Sequence, residues 1–101
     1  MQEITLLART PLTFGLAGEI DSQNADEFYA EVMEKYLEAP CDVVFDCAKL
    51  EFLDSTTLGT FVKLMKRVKE GGYRMVLRRL QPRLRKLFVI CALDTIMEIE
   101  E

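Results

Sequence analysis

One unit constrains this chain more than any other, and it runs from residue 41 to residue 72. It begins with an apolar run, CDVVFDC, and reaches a polar segment, Asp54-Ser55-Thr56-Thr57. Residues 41–46 have the length and the β-branched composition of a buried strand. Beyond the polar segment, Leu58, Phe61, Val62, Met65 and Val68 recur at helical spacing, with Lys63, Lys66, Arg67 and Lys69 on the other face. Gly71-Gly72 predicts the end of that helix, because glycine takes positive φ after a C-cap without strain. Three hydroxyls therefore fall where a strand hands over to a helix N-terminus. That junction carries unpaired backbone N–H groups and the positive end of the helix dipole. Any function legible in the sequence is centred there.

The flanks extend the same alternation. Residues 4–7 and 12–16 read as short strands joined through Arg9-Thr10-Pro11 as a hairpin. Loop 21–24 supplies candidate N-caps, and Asp26 and Glu27 follow in a first turn, where acids suit the dipole. In the helix that follows, Ala25, Phe28, Val32 and Tyr36 share one face, and Pro40 stops it. Residues 73–77 form another strand candidate. Pro82 suits a first helical position, and Leu84, Leu87, Phe88 and Cys91 give a short amphipathic helix. Residues 95–99 could close the sheet at its edge. The order β-β-α-β-α-β-α-β predicts a single α/β domain over residues 1–101. Its sheet is four- to five-stranded and mixed, with helices packed on it and the run CDVVFDC at the centre.

Composition removes several classes of function. The chain has no histidine, so the usual general base, metal ligand and partner of a serine or cysteine nucleophile are absent. Ser55 beside Asp54 would be a nucleophile without a base, so enzymatic function is not expected. Neither GxxxxGK[ST] nor GxGxxG occurs, and no cofactor is expected. No apolar run approaches ~20 residues, and the first ten residues lack a basic segment, so neither membrane insertion nor a signal peptide is predicted. Cys41, Cys47 and Cys91 are odd in number and lie in apolar stretches. Buried free thiols in a reducing cytoplasm are the expectation.

Charge is uneven. Residues 1–54 carry twelve acids and three bases, a balance of −9, whereas residues 55–101 carry ten bases and five acids, a balance of +5. A surface divided in this way can steer a charged partner. Arg74, Arg78, Arg79, Arg83, Arg85 and Lys86 form a basic cluster, with only Tyr73 and Phe88 as aromatic company. Nucleic acid is not the expected partner, because the whole chain is acidic and a basic domain would be the footprint. The cluster reads instead as a positive face around the last helix.

The hydroxyl segment admits three readings. A helix start receives phosphate well, so it could bind a phosphorylated ligand or accept a phosphoryl group. It could also be a plain helix cap by Asp54 or Ser55, a role worth about 0.5–2 kcal/mol. Spacing alone favours the cap.

Three segments, LAGEIDSQNADEF, VVFDCAKLEFLDSTTLGTFVKLMKRVKEGGYRMVL and QPRLRKLFVICALDTIMEI, together resemble a STAS domain of the bacterial anti-sigma-factor antagonist type. The sharpest part is F-L-D-S-T-T-L-G, similar to the family's D-S-[ST]-G-x-G loop. The resemblance implies partner switching. An unphosphorylated antagonist binds an anti-sigma factor of the histidine-kinase ATPase type and frees the sigma factor. The kinase phosphorylates the second hydroxyl of the motif, and a serine/threonine phosphatase reverses the step. Carried to this chain, the acceptor is Thr56, with Ser55 as second candidate. The implied partner-binding residues are Asp21, Ser22, Asp54, Ser55, Thr56, Thr57 and Leu58. Thr57 departs from the family, which usually has glycine there. Some STAS-like domains instead serve as unphosphorylated docking subunits of membrane transport assemblies, and that is the alternative reading.

Overall fold

In a computed structural model of the chain, residues 2–100 are described. The elements are β1 (Gln2–Arg9), β2 (Leu12–Ile20), α1 (Ala25–Glu38), β3 (Val43–Leu53), α2 (Ser55–Glu70), β4 (Met75–Arg78), α3 (Pro82–Ile90), a 3-10 turn (Leu93–Thr95) and β5 (Glu98–Glu100). The sheet has five strands in the order β1-β2-β3-β4-β5, which is the order of the sequence. β1 runs antiparallel to β2, and every later pair is parallel. Successive right-handed crossovers that always step to the next strand place their helices on one face. The aromatic core fits that geometry. Phe45 of β3 has ring centroids 5.7 Å from Phe14 of β2, 5.7 Å from Phe28 of α1 and 5.5 Å from Phe61 of α2. Phe61 in turn lies 5.8 Å from Phe88 of α3. One aromatic chain thus joins all three helices to the central strand.

β3 is longer than its apolar run. The strand starts at Val43 and continues to Leu53, through Ala48, Lys49, Glu51 and Phe52, all exposed. Only Val43 to Asp46 have β4 beside them, because β4 is four residues long. The rest of β3 pairs on one side only, with β2, and tolerates polar residues. Side chains from the start of α3 serve its open edge. Gln81 Nε2 donates to the Leu50 carbonyl at 3.0 Å, and the Arg83 guanidinium donates to the carbonyl of Glu51. This extension carries the chain to Asp54.

The two glycines after α2 have different reasons. Gly72 takes the left-handed conformation, with φ of +86°, as expected of a residue beyond a C-cap. Gly71 does not, with φ of −78°. A Cβ there would come within 2.4 Å of Tyr36 Oη, so a side chain would force the buried Tyr36 ring to shift. At the end of α3 the left-handed residue is Ala92, with φ of +58°.

The expectation of three buried thiols holds for one. Cys47 is buried, and burial pushes its thiol up to about 12, while Cys41 is half-buried and Cys91 exposed. α3 buries only Leu84 and Phe88, so Leu87 and Cys91, read from the sequence as its inward face, point outward. The basic cluster is largely paired. Arg74 meets Glu98, Arg78 meets Glu100 and Arg79 meets Asp46. Such exposed pairs contribute about 0–1 kcal/mol each, and here they neutralise the face locally. Among the described residues, no helix is long and apolar enough to cross a membrane.

Candidate functional site

β2 and β3 run in parallel to Ile20 and Leu53, which are register partners and both buried. Past that pair the chains diverge. One enters loop 21–24, and the other turns at Asp54 into α2. The polar residues at this fork hold it together.

Asp54 is the N-cap of α2, in extended backbone with φ of −113°. Its Oδ1 accepts from the Thr57 N–H at 3.0 Å and lies 2.9 Å from Thr57 Oγ1. Its Oδ2 accepts from the Ser22 N–H, across the fork, at 2.9 Å. Burial alone would raise the Asp54 carboxyl, but hydrogen bonds, the Thr57 N–H foremost and the Ser22 N–H among them, outweigh it. They hold the group below the usual carboxylate range. The carboxylate is therefore charged at neutral pH and engaged on both oxygens.

Loop 21–24 is equally tied. Asp21 donates its N–H to Asn24 Oδ1 at 2.9 Å, and Asp21 Oδ1 accepts from the Gln23 N–H at 2.9 Å. Asn24 Nδ2 donates to the Glu19 carbonyl at 3.0 Å. Asn24 stands at the N-cap of α1, yet its side chain makes no cap bond, because both its polar atoms serve the loop. The result is a short loop with fixed backbone.

The structure brings Asp21, Ser22, Asp54, Ser55 and Thr56 to one end of the molecule. Ser22, Ser55 and Thr56 are exposed, and Asp21 and Asp54 half-buried. Ser55 and Thr56 are the first two residues of α2, where backbone N–H groups lack an intrahelical acceptor. Thr57 and Leu58, expected among the partner-binding residues, lie elsewhere. Thr57 is 0% exposed and Leu58 7%. Neither side chain is presented to a partner. The helical phase explains it: Thr57 precedes Phe61, Leu64 and Val68 by four, seven and eleven residues, so it falls in line with the buried stripe. That spacing is present in the sequence.

Two further exposed residues lie close to these in the chain. Gly59 is exposed on α2, and a Cβ built there meets nothing within 4 Å. A glycine inside a helix costs about 0.5–1 kcal/mol relative to alanine. No internal contact requires it, and it leaves a bare stretch of backbone about one turn beyond Thr56. Phe52, 43% exposed two residues before Asp54, places an aromatic ring beside the fork. Among the described residues, no group of three or more acidic or thiol side chains converges on a metal position.

Comparison with known proteins agrees with this geometry. A profile described as STAS domain matches residues 4–101. The anti-sigma-B factor antagonist of Listeria monocytogenes is 36% identical over 86 residues, covering 84% of this chain and 75% of the relative. That of Bacillus subtilis is 36% identical over 84 residues, covering 83% and 76%. Among solved structures, the anti-sigma factor antagonist SpoIIAA in its unphosphorylated form superposes with a TM-score of 0.72 at 17% identity, covering 100% of this chain and 87% of the other. The phosphorylated form of Bacillus SpoIIAA gives 0.71 at 20% identity, covering 98% and 90%. These two likenesses speak for the fold, and the sequence matches speak for descent: the chain belongs to the STAS domain family.

Proposed function

We propose that this protein is an anti-sigma-factor antagonist. It docks on an anti-sigma factor through loop 21–24 and the start of α2, and phosphorylation of Thr56 switches the docking off. The observation that carries the reading is the exposed hydroxyl of Thr56 at the second position of α2, beside a carboxylate and a rigid neighbouring loop. The names of the Listeria and Bacillus relatives support it. The partner is a kinase with the histidine-kinase type of ATPase fold, and a serine/threonine phosphatase restores the free hydroxyl. Ser55, also exposed, is the second candidate acceptor. Thr57, buried, is not one.

The switch needs no refolding. Transfer of the γ-phosphoryl group of ATP to Thr56 Oγ1 releases ADP and the hydroxyl proton and adds about −1.5 to −2 charges at pH 7. Within the molecule the new group meets helix N–H groups and the positive dipole end, which tolerate it. That the SpoIIAA fold matches this chain equally in both phosphorylation states is consistent with such tolerance. At an interface the same group lies near Asp54 and must shed its hydration. Burying an uncompensated charge costs several kcal/mol, and each 1.4 kcal/mol is tenfold in affinity.

The test is incubation with ATP and the anti-sigma factor that co-purifies from the native cell, followed by mass spectrometry. A phosphoryl group on Thr56 and its disappearance in Thr56→Val are expected. Modification elsewhere, or a phosphorylated protein that still binds, would overturn the reading.

A further inference from the structure

We infer that Thr57 is a positioning residue: its buried hydroxyl latches the end of β2 and loop 21–24 to the start of α2, giving the fork one geometry. The latch is a property of the fold, and its role in docking rests on the proposed function. Thr57 Oγ1 lies 2.6 Å from the Ile20 carbonyl oxygen and 2.9 Å from Asp54 Oδ1. A hydroxyl has one proton to give, so it serves one acceptor at a time. The shorter contact is the one to Ile20, the last residue of β2. Asp54 Oδ1 already accepts from the Thr57 N–H, and Oδ2 from the Ser22 N–H. The fork is therefore closed by two links, Ser22 to Asp54 and Thr57 to Ile20. The side chain at position 57 is responsible for the second.

The glycine that the family usually carries here could offer Asp54 its N–H and nothing to Ile20. Threonine thus adds a tie that a bare backbone cannot make. Volume is a separate matter, because valine fills the same space without the proton. A residue that only packed would tolerate valine. A latch would not.

Amide hydrogen exchange on the whole chain separates the two roles. In Thr57→Val, exchange at the Ser22, Gln23 and Asn24 amides should accelerate at least about tenfold, the scale of one hydrogen bond to a buried acceptor. Amides of residues 43–46 and of the middle of α2 should keep their rates, and Thr57→Ser should restore loop protection. Unchanged loop exchange in Thr57→Val would overturn the latch, as would uniform acceleration throughout β3 and α2. Titration with the co-purified anti-sigma factor then reads the docking role. Affinity should fall several-fold in Thr57→Val and recover in Thr57→Ser, and equal affinity with a loosened loop would overturn that role. If the wild type binds no such partner, the proposed function fails, while the exchange data still decide the latch.

Discussion

α2 and α3 each follow a parallel strand, β3 and β4, yet their starts share little chemistry. α2 opens on an aspartate that caps the helix with one oxygen and holds the neighbouring loop with the other. Its first two residues are exposed hydroxyls. α3 opens on Gln81, which makes no cap bond because its side chain serves the Leu50 carbonyl, and on Pro82, which has no N–H to offer. Arg79, just before it, sits at φ of +60° and pairs with Asp46. The ends differ too. The left-handed residue is Gly72 after α2 and Ala92 after α3. Of these two helix starts, only that of α2 presents exposed hydroxyls. At α3 the side chains of Gln81 and Arg83 serve the open edge of β3.

Charge should separate the two starts most sharply. Thr56→Glu is expected to lower affinity for the anti-sigma factor by about a hundredfold or more, since an unpaired buried charge costs several kcal/mol. Arg83→Glu, at the start of α3, should leave affinity within about twofold. Calorimetric titration of both variants checks this, and equal losses would erase the distinction.

Next in size is the cap. Asp54→Ala should cost about 0.5–2 kcal/mol in urea denaturation, and Gln81→Ala, which removes no cap bond, should cost less. The Asp54 contribution also depends on pH. Its folded-state carboxyl is held below the ordinary value of 3.8, so the stabilisation is fully present above that value and is lost as pH falls through the folded-state value. The stability gap between wild type and Asp54→Ala should therefore narrow in acid, and a gap that stays constant down to acid unfolding would remove the carboxylate from the account.

Backbone substitutions sharpen the contrast further. Ala92→Gly relieves a left-handed alanine after α3 and should stabilise by about 1 kcal/mol in thermal or urea denaturation. Gly59→Ala in α2 should also stabilise, by about 0.5–1 kcal/mol, while weakening anti-sigma-factor binding. Stabilisation with unaltered binding would show that the bare spot beyond Thr56 serves no partner.

Element order and the placement of exposed hydroxyls at the α2 start were legible because periodicity and turn chemistry are local signals. The length of β3 was not. Its second half has no β4 beside it, and AKLEF there reads as a polar break in an apolar run. The burial of Thr57 was hidden for a related reason. A hydroxyl suggests solvent, whereas its phase relative to Phe61 places it inside. Outward-facing Leu87 and Cys91 show the converse, since α3 buries only Leu84 and Phe88, one turn apart, and Cys91 lies beyond its last residue.

The succession of strands across the sheet has a consequence for biosynthesis. Each strand docks beside the one made just before it, so no segment must wait for a distant stretch of chain to be translated. Nascent polypeptide leaving the ribosome can lay down this sheet from one border to the other. The unit that bears Thr56 would be in place before the last border strand emerges.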